Sequence, residues 1–168
     1  MELLPYTDGD RELTEALETD PEVMRELGGP IASAELAAVH RRRLNDPWWF
    51  KIVAEPSGPA VGEIGIWARD FGGATIHETG WMVLPAFQGR GMASAALGLL
   101  IERVQAEPRF ESMHAFPPVA NAPSNALCRR FAFSLLEETD VCYAGRTLRC
   151  HHWALDTTRR TKSPLAAV

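Results

Sequence analysis

The stretch VLPAFQGRGMASAALGLLIERV, residues 83–104, places Gly89 and Gly91 on either side of Arg90, where an apolar helix is predicted to begin. A helix start leaves its first backbone N–H groups without intrahelical acceptors and carries partial positive charge, so it attracts anions. Glycine lets a ligand come close to those groups. The consecutive amides of Gln88, Gly89, Arg90, Gly91, Met92, Ala93 and Ser94 can therefore curve around a pyrophosphate, with Arg90 adding charge. The same residues would also serve as a plain turn and helix cap with no ligand.

Spacing separates the known phosphate loops. A P-loop needs a lysine after its last glycine, and none follows here. A dinucleotide fingerprint needs Gly or Ala at position 94, where Ser94 stands, and a βαβ setting rather than an antiparallel meander. Both fit poorly.

The elements that must hold this loop follow from pattern. Leu3 to Tyr6 reads as a first strand, after which Thr7 or Asp8 caps a helix with Leu13, Ala16 and Leu17 on one face. Asp20 and Pro21 open a second helical turn that Gly28 ends, and Ser33 opens a third helical piece. Trp49 to Glu55 and Ala60 to Trp67 are strands joined through PSGP, and DFGGA at 70–74 turns into a strand from Thr75 to Val83. The loop helix carries Met92, Ala95, Ala96, Leu99 and Val104 on one side and stops before Pro108. Ser112 to Ala115 is a short strand, NAPSNALCRRF opens a helix at Pro123, and Leu135 to Ala154 is a hairpin turning at Ala144-Gly145. This is a mixed α/β domain over 1–157, with 158–168 expected to be a mobile tail.

Composition bounds the function. A chain of 168 residues, 46% apolar, suits one domain with a substantial core. Seventeen basic against twenty-two acidic residues give a net charge of −5, which offers no broad footprint for nucleic acid. The one dense basic run, HRRR at His40 to Arg43, lies beside Leu36, Val39 and Leu44 and is read as a solvated helix face. Cys128, Cys142 and Cys150 are an odd count without C-x-x-C spacing, so neither a disulfide framework nor a metal site is expected. Reduced thiols fit a cytoplasmic protein. No apolar stretch nears the roughly 18 residues of a membrane span, and no membrane partner is expected.

QGRGMA at 88–93 matches the Q/R-x-x-G-x-G/A signature, and on it the chain resembles the GNAT superfamily of acyl-CoA N-acyltransferases. ETGWMVLPAFQGRGMASAAL is similar to the strand, loop and helix of the branch that includes ribosomal-protein N-acetyltransferases of the RimJ/RimL type. NAPSNALCRRFAF resembles that branch's Asn-x-x-Ser helix start, and TDPEVMRELGGP its first helices. The resemblance implies a mixed, mostly antiparallel sheet flanked by helices, with splayed central strands. It implies acetyl-CoA as cosubstrate, an amine as acceptor, and direct transfer in a ternary complex without metal or covalent intermediate.

The same resemblance implies site residues. Met82, Val83 and Leu84 would pair with the pantetheine arm, and residues 88–94 would hold the pyrophosphate. Asn121 would bond the pantetheine, and Ser124 would lie near the sulfur as hydrogen-bond donor or acid; both also suit helix capping. Many relatives carry a tyrosine four residues after Ser124, where this chain has Cys128. Glu78 ranks first as base, with His77 facing the other way. Where some relatives use a carboxylate late in the hairpin, Val141 stands here with Asp140 beside it. Trp48, Trp49, Trp67, Trp81 and Trp153 read as core or half-buried, though DPWWF could also wall an acceptor pocket. The acceptor and the oligomeric state stay open, a homodimer among the options. Two competing readings are a non-catalytic CoA-binding or sensing module and a binder of another nucleotide phosphate.

Overall fold

The computed structural model describes residues 1–158. Seven strands hydrogen-bond in the order β1-β2-β3-β4-β5-β7-β6. They are β1 Glu2–Pro5, β2 Trp49–Val53, β3 Ala60–Phe71, β4 Ala74–Val83, β5 Ser112–Ala115, β6 Ser134–Tyr143 and β7 Arg146–Asp156. The helices are α1 Arg11–Thr19, α2 Ser33–Asn45, α3 Met92–Gln105 and α4 Ala122–Arg130. The pairings β1–β2, β2–β3, β5–β7 and β6–β7 are antiparallel, while β4–β5 is parallel. This is the mixed, mostly antiparallel architecture expected from the sequence. The described residues form two compact units, Met1–Gly65 with Trp81–Ala96, and Ile66–Gly80 with 97–158.

In the first unit, Thr7 donates its amide and hydroxyl to Asp10, which fixes the turn into α1. Asp20 accepts from the amides of Glu22 and Val23, and Gly28 stops the following turn at φ 92°. Leu3, Leu17, Met24, Ile52 and Ile64 are fully buried. Here HRRR departs from the solvated face expected for it. His40 and Arg43, one turn apart on α2, point inward, and Arg43 is only 1% exposed. A buried guanidinium is costly unless paired. Arg43 donates to Glu18 at 2.6 Å and to Glu63, Tyr6 donates to Glu63 at 2.6 Å, and the guanidinium lies against the rings of Tyr6 and Trp49. Burial pushes Glu63 above the usual carboxylate range although Arg43 opposes the shift. Arg41 and Arg42 keep the exposed positions.

In the second unit, β3 runs on to Phe71, past the expected Trp67, and turns through Gly72 and Gly73. Strands β4 and β5 are bridged at one pair, Glu78↔His114, whereas β6 and β7 form a long hairpin turning at Ala144 and Gly145. Thr157 is buried and bonds Phe110 and Glu111, so its side chain and backbone both anchor the end of β7. Thr158 bonds Asp156, and the rest of the expected tail, 159–168, lies outside the described residues. Among the described residues no helix is long and apolar enough to cross a membrane.

Candidate active site

The glycine loop belongs to the first unit. β4 ends at Val83, a short 3₁₀ turn covers Pro85–Phe87, and α3 starts at Met92. Gly89 and Gly91 both take left-handed backbone conformations, φ 71° and 78°, which side-chain-bearing residues rarely adopt. A Cβ built on either meets nothing within 4 Å, so the protein itself leaves the space over the loop open. Gln88 donates its side-chain amide to the Val83 carbonyl at 2.9 Å, tying the loop back to the strand end. In the first turn of α3, Ser94 is 8% exposed, and its buried hydroxyl has no hydrogen-bond partner among the described residues. Left-handed glycines, a helix start and an unsatisfied buried hydroxyl together suit an anionic ligand. Arg90 is exposed, with its guanidinium over the Phe87 ring. Of the strand-end groups, the Leu84 amide already donates to the Val61 carbonyl at 2.9 Å.

Glu78 belongs to the second unit. It is half-buried and accepts from Arg69 at 2.6 Å, while Arg69 lies over the Phe116 ring at 5.0 Å. Ile76, Phe71, Phe116 and the buried Cys150 form the apolar surroundings. Burial, then the nearby Glu78 charge, push the Cys150 thiol up to about 11, so it stays protonated and unreactive. His77 lies edge-on to Phe110 at 4.7 Å, and burial, then Arg109, hold it below the usual imidazole range. Asp140 is 62% exposed and pairs loosely with Arg149. Val141 is buried beside Phe116 and Cys150.

At α4, Asn121 is the cap: its side-chain oxygen accepts from the Ser124 amide at 3.1 Å, with Pro123 inside the first turn. Ser124 sits three positions into the turn, partly exposed, and its hydroxyl is not the cap. Asn125, unremarked in the sequence, is fully buried. It donates to the Pro118 and Asn121 carbonyls and accepts from His151 and from the Trp153 indole. It thus fixes the start of α4 against β7. Cys128, where many relatives carry a tyrosine, is fully buried, and burial pushes its thiol up to about 12.

A family profile described as an acetyltransferase (GNAT) domain matches residues 1–134. The chain belongs to the GNAT acetyltransferase family. No curated protein matches it by sequence. Solved structures agree with the GNAT fold. The acetyltransferase (GNAT family) from Bacillus anthracis aligns with a TM-score of 0.76 at 17% identity, over 94% of this chain and 95% of that one. Spermidine N-acetyltransferase from Vibrio cholerae, solved with CoA and spermine, gives 0.75 at 15% identity, over 94% and 95%. Ribosomal-protein-alanine N-acetyltransferase from Brucella melitensis gives 0.73 at 22% identity, over 93% and 99%.

Within this GNAT chain the second unit brings together Glu78 and Arg69, and the start of α4 holds Asn121 and Ser124. Sequence reasoning missed Arg69, Asn125 and a hydrogen-bonded histidine pair, His114 and His152. Arg69 lies beyond Trp67, where the strand was expected to end, so its place on β3 opposite Glu78 was not visible. The histidines, 38 positions apart, carried no signal either.

Proposed function

We propose that this GNAT chain transfers the acetyl group of acetyl-CoA directly to a primary amine, of a protein N-terminus or a small molecule, in a ternary complex. We also assign it to the RimJ/RimL-type branch, on the Asn121-x-x-Ser124 start of α4. The observation that carries the reading is the loop with Gly89 and Gly91 in left-handed conformations, open space above both, and the unpartnered Ser94 hydroxyl at the start of α3. Amides of 89–94 hold the pyrophosphate, with Arg90 adding charge, while the expected Gln88 amide already donates to the Pro85 carbonyl at 3.1 Å. Acetyl-CoA supplies an activated thioester. Backbone groups of Met82 and Val83 and the carbonyl of Leu84 pair with the pantetheine, and an amide of Met82 or Val83 polarises the acetyl carbonyl. The side-chain nitrogen of Asn121 adds a further contact.

Glu78 takes the proton of the acceptor amine, and its partner Arg69 shares the carboxylate as the ammonium arrives. Ser124 donates toward the leaving sulfur. The free cysteines, two of them buried, suit a reducing cytoplasm. The Glu78–Arg69 ion pair favours one second reading, a CoA-binding sensor whose carboxylate is structural. An amine-library screen for CoA release separates the two. Amine-dependent release supports transfer, while tight acetyl-CoA binding with no release for any amine supports the sensor.

A further inference from the structure

Acylating an ammonium leaves a proton over. Two N–H bonds break, an N–C bond forms and the C–S bond breaks; the leaving sulfur takes one proton and the other must reach solvent. Glu78, half-buried beside Arg69, needs a way to pass that proton on.

One face of the second unit carries a row of groups suited to it. Glu78 on β4 is the register partner of His114 on β5, and His114 is the partner of Ala154 on β7, two residues from His152. Paired residues and those two apart share a face, and neighbouring strands lie about 4.8 Å apart, so Glu78, His114 and His152 stand side by side. The Ser112 hydroxyl is 3.0 Å from Nε2 of His114, and Nδ1 of His114 is 2.9 Å from Nε2 of His152. Nδ1 of His152 faces Oε1 of Glu137 at 3.5 Å, and the Glu137 side chain is 57% exposed.

One tautomer of each ring makes the row directional: with the hydrogen of His152 on Nδ1, toward the Glu137 carboxylate, its Nε2 accepts. Nδ1 of His114 then donates, its Nε2 accepts, and Ser112 donates. At 3.5 Å the last link is longer than a hydrogen bond, and Nδ1 of His152 has no other partner among the described residues. The exposed Glu137 closes it by a rotamer change or through one water.

We propose that Ser112, His114 and His152 form a proton exit, carrying the surplus proton of acetyl transfer from beside Glu78 to Glu137 at the surface. The inference rests on the proposed transferase reading. Protonated Glu78 gives its proton, through one water, to the Ser112 oxygen as the Ser112 hydroxyl hydrogen passes to Nε2 of His114. The N–H bond forms at Nε2 of His114 as the Nδ1 hydrogen passes to Nε2 of His152, and the His152 Nδ1 hydrogen passes to Glu137 and then to water. Both rings regain their starting tautomers by exchange with solvent between turnovers.

The surroundings suit relays that are neutral at rest. His114 shares its face with Ser112 on its own strand, Glu78 on β4 and His152 on β7, and the charge of His77 on β4 also acts on it. Burial, then the charges of His152 and His77, hold it below the ordinary imidazole range. His152 stacks on Phe116 at 4.4 Å and meets Phe71 at 4.9 Å, with Arg69 and Cys150 nearby. Burial lowers it too, with Glu137 opposing and Arg69 adding. Among the described residues no three His, Cys, Asp or Glu side chains are grouped to hold a metal ion, so the pair is not read as part of a metal site.

The test uses the full chain, acetyl-CoA and an amine that the parent acetylates, with CoA release measured across pH in dilute and concentrated imidazole buffer. His152→Phe keeps the aromatic packing and removes the relay; Glu137→Gln changes only the exposed end. In dilute buffer kcat should fall about tenfold for His152→Phe, less than the loss of a group acting directly on substrate, and less again for Glu137→Gln. KM for the amine should stay within about twofold. Concentrated imidazole should restore both variants while leaving the parent unchanged. Parent-like rates in dilute buffer for both variants, or a loss that imidazole does not restore in correctly melting protein, overturns the exit. If the parent acetylates no amine, the transferase reading fails first, and the exit fails with it.

Discussion

Replacing Gly91 by valine tests the loop most sharply, because the structure separates its two effects. The first is strain: at φ 78° a β-branched residue costs about 1–3 kcal/mol. The second is steric. A Cβ built there meets no protein atom within 4 Å, so the new side chain is directed into the open space assigned to the pyrophosphate. Gly145, at φ 75° in the β6–β7 turn and equally open, provides a matched control. Gly91→Val and Gly145→Val should both lower Tm, by about 2–4 °C for each kcal/mol of strain in a chain of this size. Only Gly91→Val should weaken acetyl-CoA binding, by about tenfold or more, which is 1.4 kcal/mol or more. Calorimetric titration of both variants and the parent reads this directly. Unchanged acetyl-CoA affinity in Gly91→Val, or an equal loss in Gly145→Val, would refute the cradle.

Glu78→Gln should lower kcat by about 100-fold at neutral pH and recover in part at higher pH, where the amine deprotonates unaided; a parent-like pH profile would move the base to Asp140 or His77. Ser124→Ala should cut kcat by about 10- to 1000-fold with coenzyme affinity and Tm nearly unchanged, since Asn121 is the cap. Asn121→Ala should instead cost about 1 kcal/mol in a thermal melt; a fully active Ser124→Ala sinks its catalytic role. Arg43→Met should destabilise by about 3–5 kcal/mol, because it leaves Glu18 and Glu63 buried without their cation. Glu63 binds its proton more tightly folded than unfolded, so its contribution is full below the unfolded value of about 4.3 and is lost as pH rises through the folded one. Melts of the Arg43→Met protein should therefore show a smaller deficit near pH 5 than near pH 8, and a deficit independent of pH would contradict the account.

What the sequence made legible were features whose causes are local. Asp20, Pro21 and Gly28 bracket a helical turn through their own backbone preferences, and Asn121 and Gly91 sit at helix starts. The turns at Gly72-Gly73 and Ala144-Gly145 were readable for the same reason. What stayed hidden depends on partners distant along the chain. Arg43 in a basic run reads as solvated until Glu18 and Glu63, 25 and 20 residues away, enter the same core. The extra length of β3 lies in ARDF, where polar residues mask a strand that Arg69 supports by pairing with Glu78. The Asn125 hub and the His114–His152 link need β5, β7 and α4 assembled before either exists.

The central claim, acetyl transfer to an amine, is tested most directly by following CoA release and product mass together while amines are offered one class at a time. The account predicts amine-dependent release, one acetylated amine per CoA, with no release from acetyl-CoA alone beyond slow hydrolysis. Tight acetyl-CoA binding without any acetylated product, across protein N-termini, polyamines, amino acids and antibiotic amines, would contradict it.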